Sequence, residues 1–347
     1  MSKAKRTELG QLGEFGLIDH LTKSIKLKNA STLKGVGDDA AVLDYNKKQM
    51  VVTTDLLLEG IHFDLTYTPL KHLGYKAVVV NLSDVYAMNA TPKQITVSLG
   101  ISSKMSLEAM DQLYEGIYLA CDKFGVDLIG GDTTTSLTGL TISVTALGEA
   151  EADKLTYRNQ ASVNDLICVS GDLGSAYMGL QLLEREKKVF AGNSEAQPDF
   201  AGYDYPLERQ LKPEPRRDVV ELLEKIGVKP TSMIDVSDGL SSDLLHICKQ
   251  SDKGCRIYED KIPIDHTTVS LSEEMNFNPM IAALNGGEDY ELLFTISLAD
   301  YEKFKTDNDL KIYAIGHITE ASKGCYLVTS SDQEVELKAQ GWNHLKE

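Results

Sequence analysis

Apolar residues at Leu9, Leu12, Phe15, Leu17, Ile18 and Leu21 recur close to helical spacing, which predicts a short amphipathic helix over Glu8–Leu21. The run QMVVTTD at Gln49–Asp55 is β-branched and bounded by polar residues, and it predicts a strand with Asp55 at its exit. From Gly74 to Asp84 the chain is apolar almost throughout, so periodicity does not separate helix from strand there. Gln94–Ile101 alternates as a strand. Leu107–Phe124 carries one apolar stripe, opens at Ser106 as an N-cap and closes at Gly125, which predicts a helix. VDLIGGD then runs through Gly130 and Gly131 into Asp132 and a threonine-rich turn, before a further strand over Leu140–Leu147.

The periodicity lapses between Ala150 and Arg158, and a second series of strands and helices begins at Asp165–Ser170. This lapse marks a domain boundary near residue 150. GDLGSA, with Gly171 and Gly174, leads into a helix at about Tyr177, a place where backbone N–H groups reach an anion or simply turn the chain. Arg185–Pro206 is polar and irregular and predicts an exposed insertion. A helix follows over Val219–Ile226. The apolar run SMIDVSD then stops at Asp238 before a helix through His246, and ALNGGEDYELLFTI sets Glu288 and Asp289 before a strand.

Length and charge narrow the class. A chain of 347 residues is long enough for two cores, and 42% hydrophobic with 25% charged residues describes a globular protein. The net charge of -17 disfavours nucleic acid and anionic membranes as partners, so an anionic ligand needs bridging cations. Five cysteines, an odd number with no C-x-x-C pair, argue against a disulfide framework and a zinc site and favour a reducing cytoplasm. The polar N-terminus leads into no long apolar run, so neither a signal peptide nor an anchor is expected.

Asp55, Asp84, Asp132, the pair Asp235 and Asp238, and the pair Glu288 and Asp289 close five apolar runs, and GVGDDAAV at Gly35–Val42 adds Asp38 and Asp39. Acids at strand exits can converge over one crevice. Carboxylates brought that close raise one another's pKa, at about 1.4 kcal/mol per unit, unless cations neutralise them. Mg²⁺ resolves the conflict, because it takes a few carboxylates together with waters and substrate phosphates. Neither a Walker loop nor a protein-kinase H-R-D signature occurs. The single residues His62, Arg158, Tyr114 and Trp342 each admit an ordinary packing or surface role beside a ligand role.

Together GEFGLI, GVGDDAAV, TTDLLLEGIHF, VNLSDVYAMNA, IGGDT, SGDLGSA, MIDVSDGL, GGEDYELLF and GWNHL span nearly the whole chain, which resembles the thiamine-monophosphate kinase family. The superfamily includes aminoimidazole ribonucleotide and selenophosphate synthetases. The resemblance implies an α+β fold with two domains. Residues 1–150 would form an N-terminal ATP- and metal-binding α+β domain whose mixed sheet pairs across a homodimer, and residues 151–347 a C-terminal α/β domain, with the ATP site between them. It implies ATP-dependent phosphorylation of thiamine monophosphate by direct in-line transfer, with several Mg²⁺ ions and no covalent phosphoenzyme. Asp38, Thr53, Thr54, Asp55, Asp84, Asp132, Asp235 and Asp238 fall at the metal-binding positions, with Asp55, Asp84 and Asp238 as the catalytic acids. Tyr114, Gly131, Asp132, Arg158 and Ser237 fall where the family contacts nucleotide, and His62, Glu288 and Trp342 where it contacts the thiamine substrate.

Two departures from the family pattern, Asn89 and Asn164 in place of usual glycines, should keep the backbone geometry, because asparagine tolerates positive φ. Two other readings stand beside this one. A sister synthetase of the selenophosphate type uses an N-terminal cysteine or selenocysteine, and no cysteine precedes Cys121. A non-catalytic acidic cation-binding protein would carry repeated D-x-D-x-D-G loops, which do not occur.

Overall fold

The computed structural model describes residues 20–34, 42–46, 48–192, 198–304 and 311–340. Most of the predicted helix over Glu8–Leu21, the loop holding Asp38 and Asp39, and Trp342 lie outside the described residues. The chain divides into two compact units, one running up to Val85 and including Ala90–Asp153, the other comprising Tyr86–Asn89 and the chain from Lys154 onward.

In the first unit a short hairpin, β1 (Thr32–Lys34) and β2 (Val42–Leu43), precedes β3 (Gln49–Leu58), α1 (Leu70–Ala87), β4 (Thr91–Ser102), α2 (Leu107–Phe124), β5 (Asp127–Ser136) and β6 (Thr141–Ala150). The last four strands to appear in space form one sheet in the order β3-β6-β4-β5, mixed because β4 and β5 run parallel while the other pairs are antiparallel. Val97, Leu99, Val144 and Ala146 are buried, and the alternate positions Thr96, Ser98, Ser143 and Thr145 are part-exposed, the period-2 pattern of a sheet covered on one side. α2 forms as its caps dictate: Ser106 accepts from the Ala109 N–H and Gly125 closes the helix at φ 68°. α1 and α2 touch backbone to backbone. A Cβ on Gly116 would lie 1.9 Å from the Lys71 carbonyl oxygen, and one on Gly74 would lie 2.0 Å from that of Leu113.

One open reading is resolved here and two sequence expectations are corrected. The ambiguous run into Asp84 is helix, α1, which is buried nearly all round and therefore shows no amphipathic period. β3 continues three residues beyond Asp55, so that acid sits within the strand rather than at its exit. The threonine-rich stretch after Asp132 continues β5, because it pairs with β4 as far as Ser102↔Ser136.

The second unit contains β7 (Leu166–Ser170), α3 (Ser175–Gly192), α4 (Asp204–Leu211), α5 (Arg217–Lys225), β8 (Ser232–Asp235), α6 (Leu240–Ser251) and β9 (Lys253–Tyr258). It continues with α7 (His266–Glu274), α8 (Pro279–Asn285), β10 (Leu292–Ile296), α9 (Leu298–Phe304), β11 (Ile312–Glu320), β12 (Cys325–Val328) and β13 (Glu334–Glu336). Its seven strands order as β13-β12-β9-β11-β7-β10-β8, and only β12 and β9 pair in parallel. Buried side chains line both faces: Ile167, Val169, Leu293 and Ile315 belong to one core, Cys168, Met233, Phe294 and Ile296 to another. The predicted insertion over Arg185–Pro206 is in part structural. α3 runs to Gly192, and the buried Glu186 carboxylate accepts from the Asp199 N–H at 3.1 Å. Asn89 and Asn164 hold φ of 55° and 72°, the left-handed geometry expected of glycine replacements.

Candidate active site

The first unit presents one acid cluster. Thr53 and Asp55, two residues apart on β3, share a face, and α1 carries Asp84 to it. The Thr53 hydroxyl donates to Asp84 Oδ2 at 2.6 Å. Burial, and after it the neighbouring charge of Asp84, pushes the Asp55 carboxyl up to about 6. Thr54 lies on the opposite face, where its hydroxyl donates to the Val144 carbonyl at 3.1 Å and meets the Thr145 hydroxyl at 3.1 Å.

Asp132 stands on β5, exposed, in register with Ser98 of β4. Three inter-strand gaps separate β3 from β5, about 14 Å at ordinary strand spacing. Gly131 is fixed sterically, since a Cβ there would lie 1.8 Å from the Val97 carbonyl oxygen. His62 accepts from the Leu58 N–H through Nδ1 at 3.0 Å, so the neutral ring carries its proton on Nε2. Tyr114 is 8% exposed and packs edge-on against Tyr118, and burial pushes its phenol up to about 12.

The second unit presents another. Asp235 ends β8, as expected of a strand-exit acid, and the loop through Ser237 and Asp238 enters α6. Asp243, one turn into α6, lies behind both. Leu240, Leu244 and Ile247 define the buried face of that helix, and Asp243 falls on it, accepting from the Asp238 N–H at 3.2 Å. Burial, and after it the charges of Asp235 and Asp238, pushes the Asp243 carboxyl up to about 8, against the pull of Arg158. At neutral pH Asp243 is therefore mostly protonated in the metal-free protein. Sequence reasoning missed this residue, although an acid on an apolar helical stripe is a readable signal.

Glu288 reaches the same loop through the backbone. Its N–H donates to the Ser237 carbonyl at 2.8 Å, and the Tyr290 N–H donates to that of Val236 at 2.9 Å. Both residues hold positive φ, 58° and 52°, which lets the GGED segment turn onto the DVSD loop.

Three amides of GDLGSA serve the fold. The Gly174 N–H donates to Asp289 Oδ2 at 2.8 Å, that of Leu173 to the Pro263 carbonyl at 3.0 Å, and that of Gly171 to the Lys311 carbonyl at 3.0 Å. These three amides are taken by the protein itself. Asp289 and Glu291 are buried here with Arg209, whose guanidinium reaches Glu291 at 2.8 Å, while Arg216 reaches the other Glu291 oxygen. Burial pushes the Asp289 carboxyl up to about 7, against the opposing pull of Arg209.

Two α+β units, each carrying carboxylates of the hard-oxygen kind that suits divalent cations, define the class of the fold. Residues 37–150 match the AIR synthase related protein, N-terminal domain, and residues 162–328 match the AIR synthase related protein, C-terminal domain.

Within that superfamily the likeness is narrower. The chain is 35% identical over 341 residues to the thiamine-monophosphate kinase of Bacillus subtilis, covering 96% of this chain and 100% of the relative. A crystal structure of thiamine-monophosphate kinase from Stenotrophomonas maltophilia superposes with a TM-score of 0.78 at 33% identity, covering 91% of this chain and 96% of that one. A structure described as AaThiL complexed with AMPPCP and TMP superposes with a TM-score of 0.74 at 33% identity, covering 99% and 100%. This chain belongs to the thiamine-monophosphate kinase family. Among the described residues no helix is long and apolar enough to cross a membrane.

Proposed function

We propose that this protein transfers the γ-phosphoryl group of ATP to thiamine monophosphate in one direct in-line step, giving thiamine diphosphate and ADP. The observation that carries the reading is the Thr53–Asp55–Asp84 cluster, in a chain whose full-length relatives are named for this reaction. Donor and acceptor are both anions, so their approach is repulsive unless the charge is screened. All the donors at the cluster are hard oxygens, which suit Mg²⁺. We assign Thr53, Thr54, Asp55, Asp84, Asp132, Asp235 and Asp238, with Asp38, to binding several such ions, Thr54 through its backbone because its hydroxyl faces away. Bound Mg²⁺ supplies neutralisation of the phosphoryl oxygens.

The chain's own groups do the rest. The Thr53 hydroxyl fixes the rotamer of Asp84. Asp55, with its carboxyl raised to about 6, is mostly ionised at neutral pH, whereas Asp243 is mostly protonated in the metal-free protein and lowers the charge beside Asp235 and Asp238. Tyr114, Gly131, Asp132, Arg158 and Ser237 are proposed to contact nucleotide, and His62, Glu288 and Trp342 the thiamine substrate. His62 offers its Nε2 proton to a phosphate oxygen, and the Glu288 carboxylate suits the cationic thiazolium. Phosphoryl transfer of this type asks for positioning and charge stabilisation rather than a covalent intermediate. Residues 1–150 and 151–347 are read as the two domains, in a cytoplasmic homodimer.

Incubating the purified protein with ATP, Mg²⁺ and thiamine monophosphate should yield thiamine diphosphate and ADP in equal amounts, read by chromatographic separation of the thiamine esters. No product across a range of pH and metal concentration would overturn the proposal.

A further inference from the structure

Cys248, Cys255 and Cys325 bring their three sulfurs within 4.8 Å of one another. Their distance in sequence hides the cluster, since seven and seventy residues separate them in turn. Three different elements deliver them. Cys248 sits near the end of α6, Cys255 on β9 and Cys325 at the start of β12, and the parallel pairing of those strands sets Cys325 in register with Cys255. Cys248 and Cys255 are 2% and 0% exposed, inside the core that holds Leu244, Ile247, Ile257 and Leu327, whereas Cys325 is part-exposed.

We propose that these three cysteines form a binding site for a divalent thiophilic metal ion, of the zinc type, with a fourth coordination position open to solvent beside Cys325. The geometry fits. Metal–sulfur bonds of about 2.3 Å in a tetrahedral arrangement place ligand sulfurs about 3.8 Å apart, so the cluster needs to contract by about 1 Å at most. Sulfur donors select soft and borderline ions over Mg²⁺, which separates this site from the oxygen clusters. Among the described residues no histidine, further cysteine or carboxylate joins the group, and three protein ligands plus a solvent ligand is an established zinc arrangement.

Charge supports a divalent ion. Binding releases three protons to solvent and leaves three thiolates around the ion, a net single negative charge with no oxidation or reduction. Arg256 offsets part of it. Its guanidinium donates to the Cys255 carbonyl at 2.9 Å and the Gly324 carbonyl at 3.2 Å and lies 4.5 Å from the Tyr326 ring, although its outer edge also pairs with Glu334 at 2.6 Å. A core that needed only volume at these positions would be filled as well by valine and alanine.

The test uses the reduced full-length protein and Cd²⁺ as a spectroscopic probe. One Cd²⁺ per chain should remain after gel filtration, with a sulfur-to-metal charge-transfer band and a higher melting temperature, and Zn²⁺ in large excess should reduce the band. Cys325→Ser should weaken Cd²⁺ binding about tenfold or more and abolish the melting shift, while Cys121→Ala, outside the cluster, keeps both. Turnover with ATP and thiamine monophosphate should be the same in Cys325→Ser as in the parent, so this result is independent of the kinase reading. In the unmodified protein Cd²⁺ should also slow alkylation of Cys325, a readout that needs no variant. Undiminished Cd²⁺ binding in Cys325→Ser, no retained ion, or alkylation unaffected by Cd²⁺ would each overturn the site.

Discussion

Asp55 is the residue at which folding and function pull apart. Its carboxyl, ordinarily near 3.8, is raised to about 6 first by burial and then by Asp84, so the folded chain binds the proton more tightly than the unfolded chain. The sign follows: without metal, stability is greatest below the unfolded pKa and declines as pH rises from about 4 through about 6. Asp55→Asn should therefore stabilise the metal-free protein at neutral pH by about 1 kcal/mol, a figure held low because the residue is only part-buried. Thermal unfolding with and without Mg²⁺ reads this directly, and Mg²⁺ should narrow the gap by favouring the ionised form. Asp243 makes the complementary case. With its carboxyl near 8 it is mostly neutral at physiological pH in the metal-free protein, so Asp243→Asn should keep turnover within about threefold, whereas Asp238→Asn should lower it about a hundredfold or more. Steady-state rates of the two variants separate a proton-holding acid from a charge-bearing one.

At the scale of elements, α1 positions Asp84, and its place depends on α2. Gly74 and Gly116 let the two helices meet without side chains between them, backbone against backbone. Gly116→Ala should cost about 1 to 3 kcal/mol in urea unfolding and shift α1, lowering turnover even though no ligand touches the glycine. Legibility in the sequence followed the same physics. α2 was readable residue by residue because its caps and apolar stripe are local signals. α1 was not, because burial all round erases the period that marks a surface helix. The position of Asp55 within β3 and the strand character of Thr133–Ser136 are set by pairing partners far along the chain, β6 and β4, and no local pattern encodes them. Thr53, Asp55 and Asp84 were named as a set from family motifs, yet the Thr53–Asp84 hydrogen bond and the opposite facing of Thr54 are products of the sheet. GDLGSA, which the sequence left open between an anion contact and a turn, turns three of its amides to Asp289 and neighbouring carbonyls.

The whole molecule carries a net charge of -17, and the reaction we assign to it joins two further anions. Such a protein works only where cations offset its own field, so turnover should rise steeply with Mg²⁺ and fall when a chelator removes it. The most direct test compares thiamine diphosphate formation by the parent protein and by Asp55→Asn at saturating ATP, Mg²⁺ and thiamine monophosphate, with folding checked by circular dichroism. The account predicts a folded variant, thermally more stable than the parent only in the absence of metal, whose rate is lower by about a hundredfold or more. A folded Asp55→Asn protein that makes thiamine diphosphate at the parent rate would contradict it.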